Sequence, residues 1–246
     1  MKDKIDPGSV NGARRGFIKM SGVLIAATAM IQPIGLLAEA APSNPGNKAE
    51  EDKEISPAED LMREHGALSR LLLIYEEIMA RLSSGREFPL EVLADAAGLI
   101  RRFVEDYHEK LEENHFFPRF KKAGKLVDLV KVLLQQHQAG RRLTDRIRGL
   151  ATTSAIKNPK GKKELGQYLH FFIRMYRPHK AREDTVLFPA FHAIVSPKEY
   201  ASLGEAFEDQ EEELFGKDGF EHVVSEVEKL EKTMGIYDLP RFTATI

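Results

Sequence analysis

Cysteine is absent from all 246 residues. Its absence excludes disulfides, thiolate nucleophiles and thiolate-held zinc or iron–sulfur groups. Tryptophan is absent too, and runs of β-branched residues are few. Leu, Ala, Glu, Lys and Arg dominate instead, a composition that favours helices. Neither sign of charge prevails: 36 Lys and Arg against 38 Asp and Glu leave a net charge of −2, with the two signs mixed along the chain. No basic stripe is available for nucleic acid. No Ser/His/Asp pattern, phosphate-binding glycine loop or dinucleotide fingerprint occurs either, so those chemistries have no support.

What the chain does have is one motif written twice. His108-x-x-x-Glu112 and His179-x-x-x-Glu183 lie 71 residues apart, inside HEKLEENHFFPRF and HKAREDTVLFPAF. At that offset His, Glu, Phe, Pro and Phe are identical, and Glu113 answers Asp184. His65 and His137 keep nearly the same rhythm, 72 apart. Residues four apart share one helix face, so each pair can aim both side chains at one ion. One such helix offers too few ligands. Two of them, with a histidine from each of two other helices, give four imidazoles and two carboxylates around a pair of ions. Bundles build two-metal sites from facing helices in this way. The spacing therefore predicts a dinuclear centre held by His65, His108, Glu112, His137, His179 and Glu183. Each Glu can bridge both ions, which leaves open positions for a small ligand. Imidazole and carboxylate suit iron, zinc, copper or manganese alike.

Helical periodicity places these ligands. Ser56-Pro57-Ala58-Glu59 is a capping start for a helix over about 57–83, with Leu61, His65, Leu68, Leu72, Tyr75 and Met79 inward. A second helix, about 89–117, aligns Leu93, Ile100, Val104, His108, Leu111 and His115. A third, about 124–150, points Val127, Val130, Leu134, His137 and Leu143 inward. A fourth, about 161–193, carries Leu165, Leu169, Phe172, Tyr176 and His179, with a kink expected at Pro178. Segment 151–160 reads as a connection. Pro118 and Pro189 mark where the ligand helices bend or end. Short links imply an all-α, up-down-up-down four-helix bundle with extra C-terminal helices, at about 197–214 and 217–234. The Glu-rich run from Glu208 to Glu213 reads as solvated surface. Tyr107 and Tyr176 are either partners for a metal-bound ligand or ordinary bundle tyrosines. Phe103, Phe117, Phe172 and Phe188 are candidate pocket walls, and Glu113 and Asp184 are candidate acceptors for ligand N–H groups.

The N-terminus is of another kind. Ala13-Arg14-Arg15-Gly16-Phe17-Ile18-Lys19 precedes an apolar stretch from Met20 that ends in Ala38-Glu39-Ala40. It resembles a twin-arginine export signal over 1–40, cleaved after Ala40; the competing expectation is an uncleaved membrane anchor. Residues 41–56 read as a flexible linker, 57–195 as the bundle and 196–246 as a helical extension. The resemblance to the export pathway implies an extracytoplasmic, periplasm-type location, with membrane contact only through export or that anchor.

Residues 58–193 resemble the hemerythrin-like (HHE cation-binding) family. The resemblance is carried by Glu64-His65-Gly66, by the His108 and His179 pairs followed by Phe-Pro, and by His137. It implies a four-helix bundle, two iron ions as a non-haem di-iron centre, and the same six residues as ligands. Oxygen-carrying hemerythrins have a further histidine one turn after the third-helix ligand. Arg141 stands there, so the five-histidine site is not expected. What the resemblance implies is binding of a small ligand (dioxygen, nitric oxide or peroxide) for sensing, delivery or protection. The alternatives are a di-iron peroxidase, oxidase or nitric oxide-reducing enzyme, and iron storage or homeostasis.

Overall fold

Ser56 opens the first helix: its hydroxyl accepts a hydrogen bond from the Glu59 amide at 3.2 Å. Pro57 follows at a position where a missing N–H costs nothing. Helix α1 spans Pro57–Ser84 and closes on Gly85 at φ 70°, a left-handed backbone that suits glycine because it has no Cβ. The computed structural model describes residues 55–244, and the export-type segment lies outside the described residues.

A second helical run, α2, opens at Leu90–Leu99 and continues unbroken through Ile100–His108, Glu109–Leu111, Glu112–Phe116 and Phe117–Ala123. Helix α3 is Val127–Leu150 and α4 is the single turn-and-a-half Thr153–Lys157. The next run, α5, opens at Pro159–Arg182 and passes through Glu183–Leu187 to Phe188–Phe191. Helices α6, Pro197–Phe215, and α7, Gly219–Met234, complete the chain before a short 3-10 turn at Leu239–Phe242. No strand occurs among the described residues.

The four long runs pack in a closed ring, α1 on α2, α2 on α3, α3 on α5 and α5 on α1, while α6 and α7 lie against α1 and α7 also reaches α2. Pairs along two of the seams run in opposite senses. His65 meets Asp184 and Glu76 meets Arg177 between α1 and α5. His137 meets Glu113 and Asp145 meets Arg101 between α3 and α2. Inside sit Leu61, Leu68, Leu72 and Tyr75 of α1 and Leu165, Leu169, Phe172 and Tyr176 of α5, all buried. At about 25 cal/mol per Å² of apolar surface removed from water, these stripes are the main force closing the ring.

Several expectations change. On α3, Val127 is 42% exposed and Leu134 and Leu143 are only half-buried. The inward stripe is Val130, Leu133, His137, Gly140, Thr144 and Ile147. It passes through a glycine and a threonine, which a search for apolar side chains steps over. Segment 151–160 holds α4, capped by Thr152, whose hydroxyl accepts from the Ala155 amide. α2 runs on to Ala123 beyond Pro118; α5 continues through Pro178, in keeping with the single helix expected there. His115 leaves the buried stripe for Phe207, ring centroids 5.3 Å apart, because the wide turn Glu112–Phe116 shifts the helical phase of the side chains along it. Glu211 is not solvated surface. It is buried at 3% exposure, accepts the Phe220 amide at 3.1 Å, and lies with Asp60 and Glu64, their oxygens within 4.8 Å of one another.

Candidate metal centre

Each His-x-x-x-Glu pair ends in the same backbone device. The segments Glu112–Phe116 and Glu183–Leu187 are wide helical turns, and Phe117 and Phe188 bond back five residues, to the carbonyls of Glu112 and Glu183. Pro118 and Pro189 come next, with no N–H to give. A proline ring crowds the carbonyl four residues back, and a five-residue turn relieves that crowding without ending the helix. Such turns concentrate at functional sites. Here they place a Glu, the acid after it and a Phe on one inward arc, in both copies.

All six expected ligands converge and are buried, with His179 the most exposed at 4%. His65, His108 and Glu112 form one cluster, and His137, His179 and Glu183 the other, each with its ligand-type atoms within 4.8 Å. His65 Nε2 and His108 Nε2 are 3.1 Å apart. The two carboxylates join the clusters. Glu112 Oε2 lies 3.8 Å from His108 Nε2 and 3.3 Å from His137 Nε2. Glu183 Oε2 lies 3.1 Å from His179 Nε2 and 3.4 Å from His65 Nε2.

The opposite nitrogen of every imidazole is held. His65 Nδ1 donates to Asp184 Oδ1 at 2.6 Å, and His137 Nδ1 to Glu113 Oε1 at 3.1 Å. His108 Nδ1 donates to Glu64 Oε2 at 2.6 Å, and His179 Nδ1 to Gln136 Oε1 at 2.9 Å. Acceptors at Nδ1 keep a proton on that nitrogen, so Nε2 is the one left to face a cation. The arrangement has approximate two-fold order. The residue before each lone histidine holds a paired histidine; the acid after each Glu holds a lone histidine. Phe188 stacks on His65 at 5.6 Å and Phe117 on His137 at 5.4 Å. Of the four phenylalanines expected as walls, these two fill that role. Phe103 turns to Phe215 and Phe220 of the C-terminal helices, and Phe172 to Tyr75 and Tyr176.

Electrostatics reflect this packing. Burial disfavours charge on His65, but Asp184 and Glu183 overcome it and lift its pKa to about 9. Burial, then the charge of His65, holds His108 well below its ordinary value. Burial takes His137 down to about 4. Burial and the charge of Glu183 push Glu112 well up. Burial opposes ionisation of Glu183 as well, yet His179 and His65 hold it well down.

The donor set fits metal cations. All four carboxylate oxygens of Glu112 and Glu183, and Nε2 of His137, are buried without a hydrogen bond. Buried polar atoms seldom lack partners. Imidazole nitrogen and carboxylate oxygen facing one small space share a natural partner, a first-row divalent or trivalent ion.

Tyr107 faces the Asp60, Glu64 and Glu211 carboxylates rather than the six His and Glu residues, its hydroxyl 3.5 Å from the Phe207 carbonyl. Tyr176 stays beside it, edge-on to His179 at 5.4 Å, and donates to Glu109 Oε1 at 2.6 Å. Arg141 ion-pairs with Glu109 at 2.7 Å and Glu113 at 2.8 Å. Glu64, Gln136, Glu109 and Gly140 join the site without having been expected there. For Glu64 and Gln136 the sequence holds a signal: each immediately precedes one of the two lone histidines.

Comparison with known proteins agrees with the geometry. The model of the Hemerythrin HHE cation binding domain matches residues 56–191. Uncharacterized proteins of Mycobacterium tuberculosis and Mycobacterium bovis are each 43% identical over 230 residues, covering 94% of this chain and 90% of the relative. No solved structure matches. A family match over more than half the chain, together with two His/Glu clusters able to hold metal, leads to one conclusion: this chain belongs to the hemerythrin HHE cation-binding domain family.

Proposed function

We propose that the chain is an exported non-haem di-iron protein that binds dioxygen, nitric oxide or peroxide for sensing, delivery or protection. The observation that carries this reading is the placement of Glu112 and Glu183, each within 4 Å of imidazole nitrogens from both clusters. Carboxylates so placed suit two ions side by side. His65 and His108 would hold one, His137 and His179 the other, and the two Glu would bridge. About four protein ligands per ion leave positions open on a metal that takes five or six. When bound, the iron pair supplies those positions to the small ligand. The chain's own part is to fix the four imidazoles through Nδ1, to hold Glu183 ionised through His179 and His65, and to exclude water behind Phe117 and Phe188. An up-down-up-down course for α1, α2, α3 and α5 belongs to the same reading, supported by the opposite senses of the paired residues. Export rests on the paired Arg14-Arg15 and the apolar stretch after them. Among the described residues, no helix is long and apolar enough to cross a membrane.

Metal analysis and optical spectroscopy of the purified chain test this proposal. About two irons per chain, and a reduced spectrum that air shifts reversibly, are the expected results. Rapid turnover of peroxide or nitric oxide would replace binding with the enzyme reading. Many irons per chain would replace it with storage. No metal retained by purified or reconstituted protein would end all three.

A further inference from the structure

The two halves of the centre share the wide turns Glu112–Phe116 and Glu183–Leu187 but differ in charge. Resting on the reading that the six residues hold two cations, we infer that the two positions are unequal: the His65/His108 position binds its cation more tightly and fills first, with Glu64 and Asp184 as its positioning residues.

The inequality begins in the sequence. Glu64 precedes His65 and Gln136 precedes His137, the equivalent place in the repeat. In the fold both reach across to a paired histidine. Glu64 Oε2 is 2.6 Å from His108 Nδ1, and Gln136 Oε1 is 2.9 Å from His179 Nδ1. One acceptor is a carboxylate and the other a neutral amide. The remaining two histidines differ as well. Asp184 accepts from His65 at 2.6 Å, while Glu113 accepts from His137 at a longer 3.1 Å. Glu113 also shares its charge with Lys110 at 2.5 Å and Arg141 at 2.8 Å. Thus the His65/His108 pair faces two close carboxylates. The His137/His179 pair faces an amide and Glu113, already drawn by two cations; Glu109 stands farther off, 4.0 Å from His137 Nδ1, and is itself drawn by Arg141.

A carboxylate at Nδ1–H strengthens Nε2 as a donor and offsets part of the cation's charge. An amide does less, and a carboxylate pulled by cations does less. Outer partners of this kind change metal affinity by about 10- to 100-fold. Both effects act in the same direction at each position, so they add rather than cancel.

Metal-free full-length chain titrated with Co²⁺ under argon, followed by its visible ligand-field bands, gives the test. Wild type takes up two equivalents in two steps at least about tenfold apart in affinity. Glu64→Gln weakens the first step by about tenfold and leaves the second, merging them. Gln136→Glu strengthens the second. In the double variant the order reverses, so its first-equivalent spectrum matches the second-equivalent difference spectrum of wild type. A role limited to folding would move melting of the metal-free chain but not this spectral order. If Gln136→Glu does not fold, Glu64→Gln alone decides. Two equivalents bound in one step, or Glu64→Gln weakening both steps equally, overturns the inequality and leaves the two-metal reading standing. No Co²⁺ uptake at all overturns both.

Discussion

Tyr176 stands directly over Gly140. A Cβ added at residue 140 would lie 2.0 Å from the Tyr176 hydroxyl oxygen. Glycine inside a helix is disfavoured by roughly 0.5–1 kcal/mol relative to alanine, so its place mid-way along α3 has a packing reason. The space it leaves lets the phenol reach Glu109 at 2.6 Å. Gly140→Ala is therefore expected to destabilise the chain by about 1–3 kcal/mol through overpacking. The loss should shrink in a Tyr176→Ala background, and a double-mutant cycle of chemical denaturation measures the difference. Additive losses would show that the two residues do not compete for that space.

Glu112 carries opposite signs of stability with and without metal. Its buried oxygens lack hydrogen bonds, so the metal-free chain bears their desolvation. Glu112→Leu, of similar volume, is expected to stabilise the metal-free chain or leave it unchanged, within a range of about 0–4 kcal/mol. Wild type should gain about 2.7 kcal/mol at free metal a hundredfold above Kd, and the variant should gain far less. Melting with and without a chelator reads both signs. A Glu112→Leu chain with the full metal-dependent rise in Tm would remove Glu112 from the ligand set.

Metal uptake should strengthen as pH rises. A cation needs neutral imidazole and ionised carboxylate. In the metal-free chain His65 titrates at about 9 and is protonated at neutral pH, whereas His137 at about 4 is already neutral. The incoming ion displaces the His65 proton, so apparent affinity climbs until pH passes about 9. For folding without metal, His65 has the reverse sign. Its raised pKa contributes stability that is complete below its ordinary value of 6.5 and lost as pH rises through about 9. Calorimetry in buffers of different ionisation enthalpy counts the protons released. A flat affinity between about pH 6 and 9 would contradict the assignment.

Arg141 holds one buried acid, Glu109, and one half-buried acid, Glu113. Burial already holds the Glu109 carboxyl well above the usual range, and Arg141→Met removes the guanidinium that opposes this, at a cost of up to about 3–5 kcal/mol where the carboxyl stays charged. Glu109→Gln added to Arg141→Met should recover much of that loss, because a neutral amide needs no counter-charge. Urea denaturation of the three variants checks this; a double variant no more stable than Arg141→Met would place the destabilisation elsewhere.

Helices α1 and α5 are legible in the sequence because their core stripes are largely apolar, Leu61 to Tyr75 interrupted only by Glu64 and His65, and Leu165 to Tyr176. The α3 stripe is not, because Gly140 and Thr144 face inward for reasons of neighbour shape: Tyr176 needs the room, and Thr144 donates to buried Glu105 at 2.5 Å. The convergence of the six His and Glu residues is readable from helical spacing and from a repeat written twice, since i, i+4 geometry is local. Their partners are harder to read. Glu64, Asp184, Glu113 and Gln136 act on histidines of other helices, 43 and 44 residues away for Gln136 and Glu64, and 119 and 24 for Asp184 and Glu113.

Local rules, periodicity above all, suffice to say that four amphipathic runs form and which face of each carries its histidine. Which carboxylate meets which imidazole depends on helix rotation and on the wide turns before Pro118 and Pro189, and the rotation of each run is set by packing against the others. That packing belongs to the assembled bundle, so the difference between Glu64 and Gln136 acquires its meaning only there.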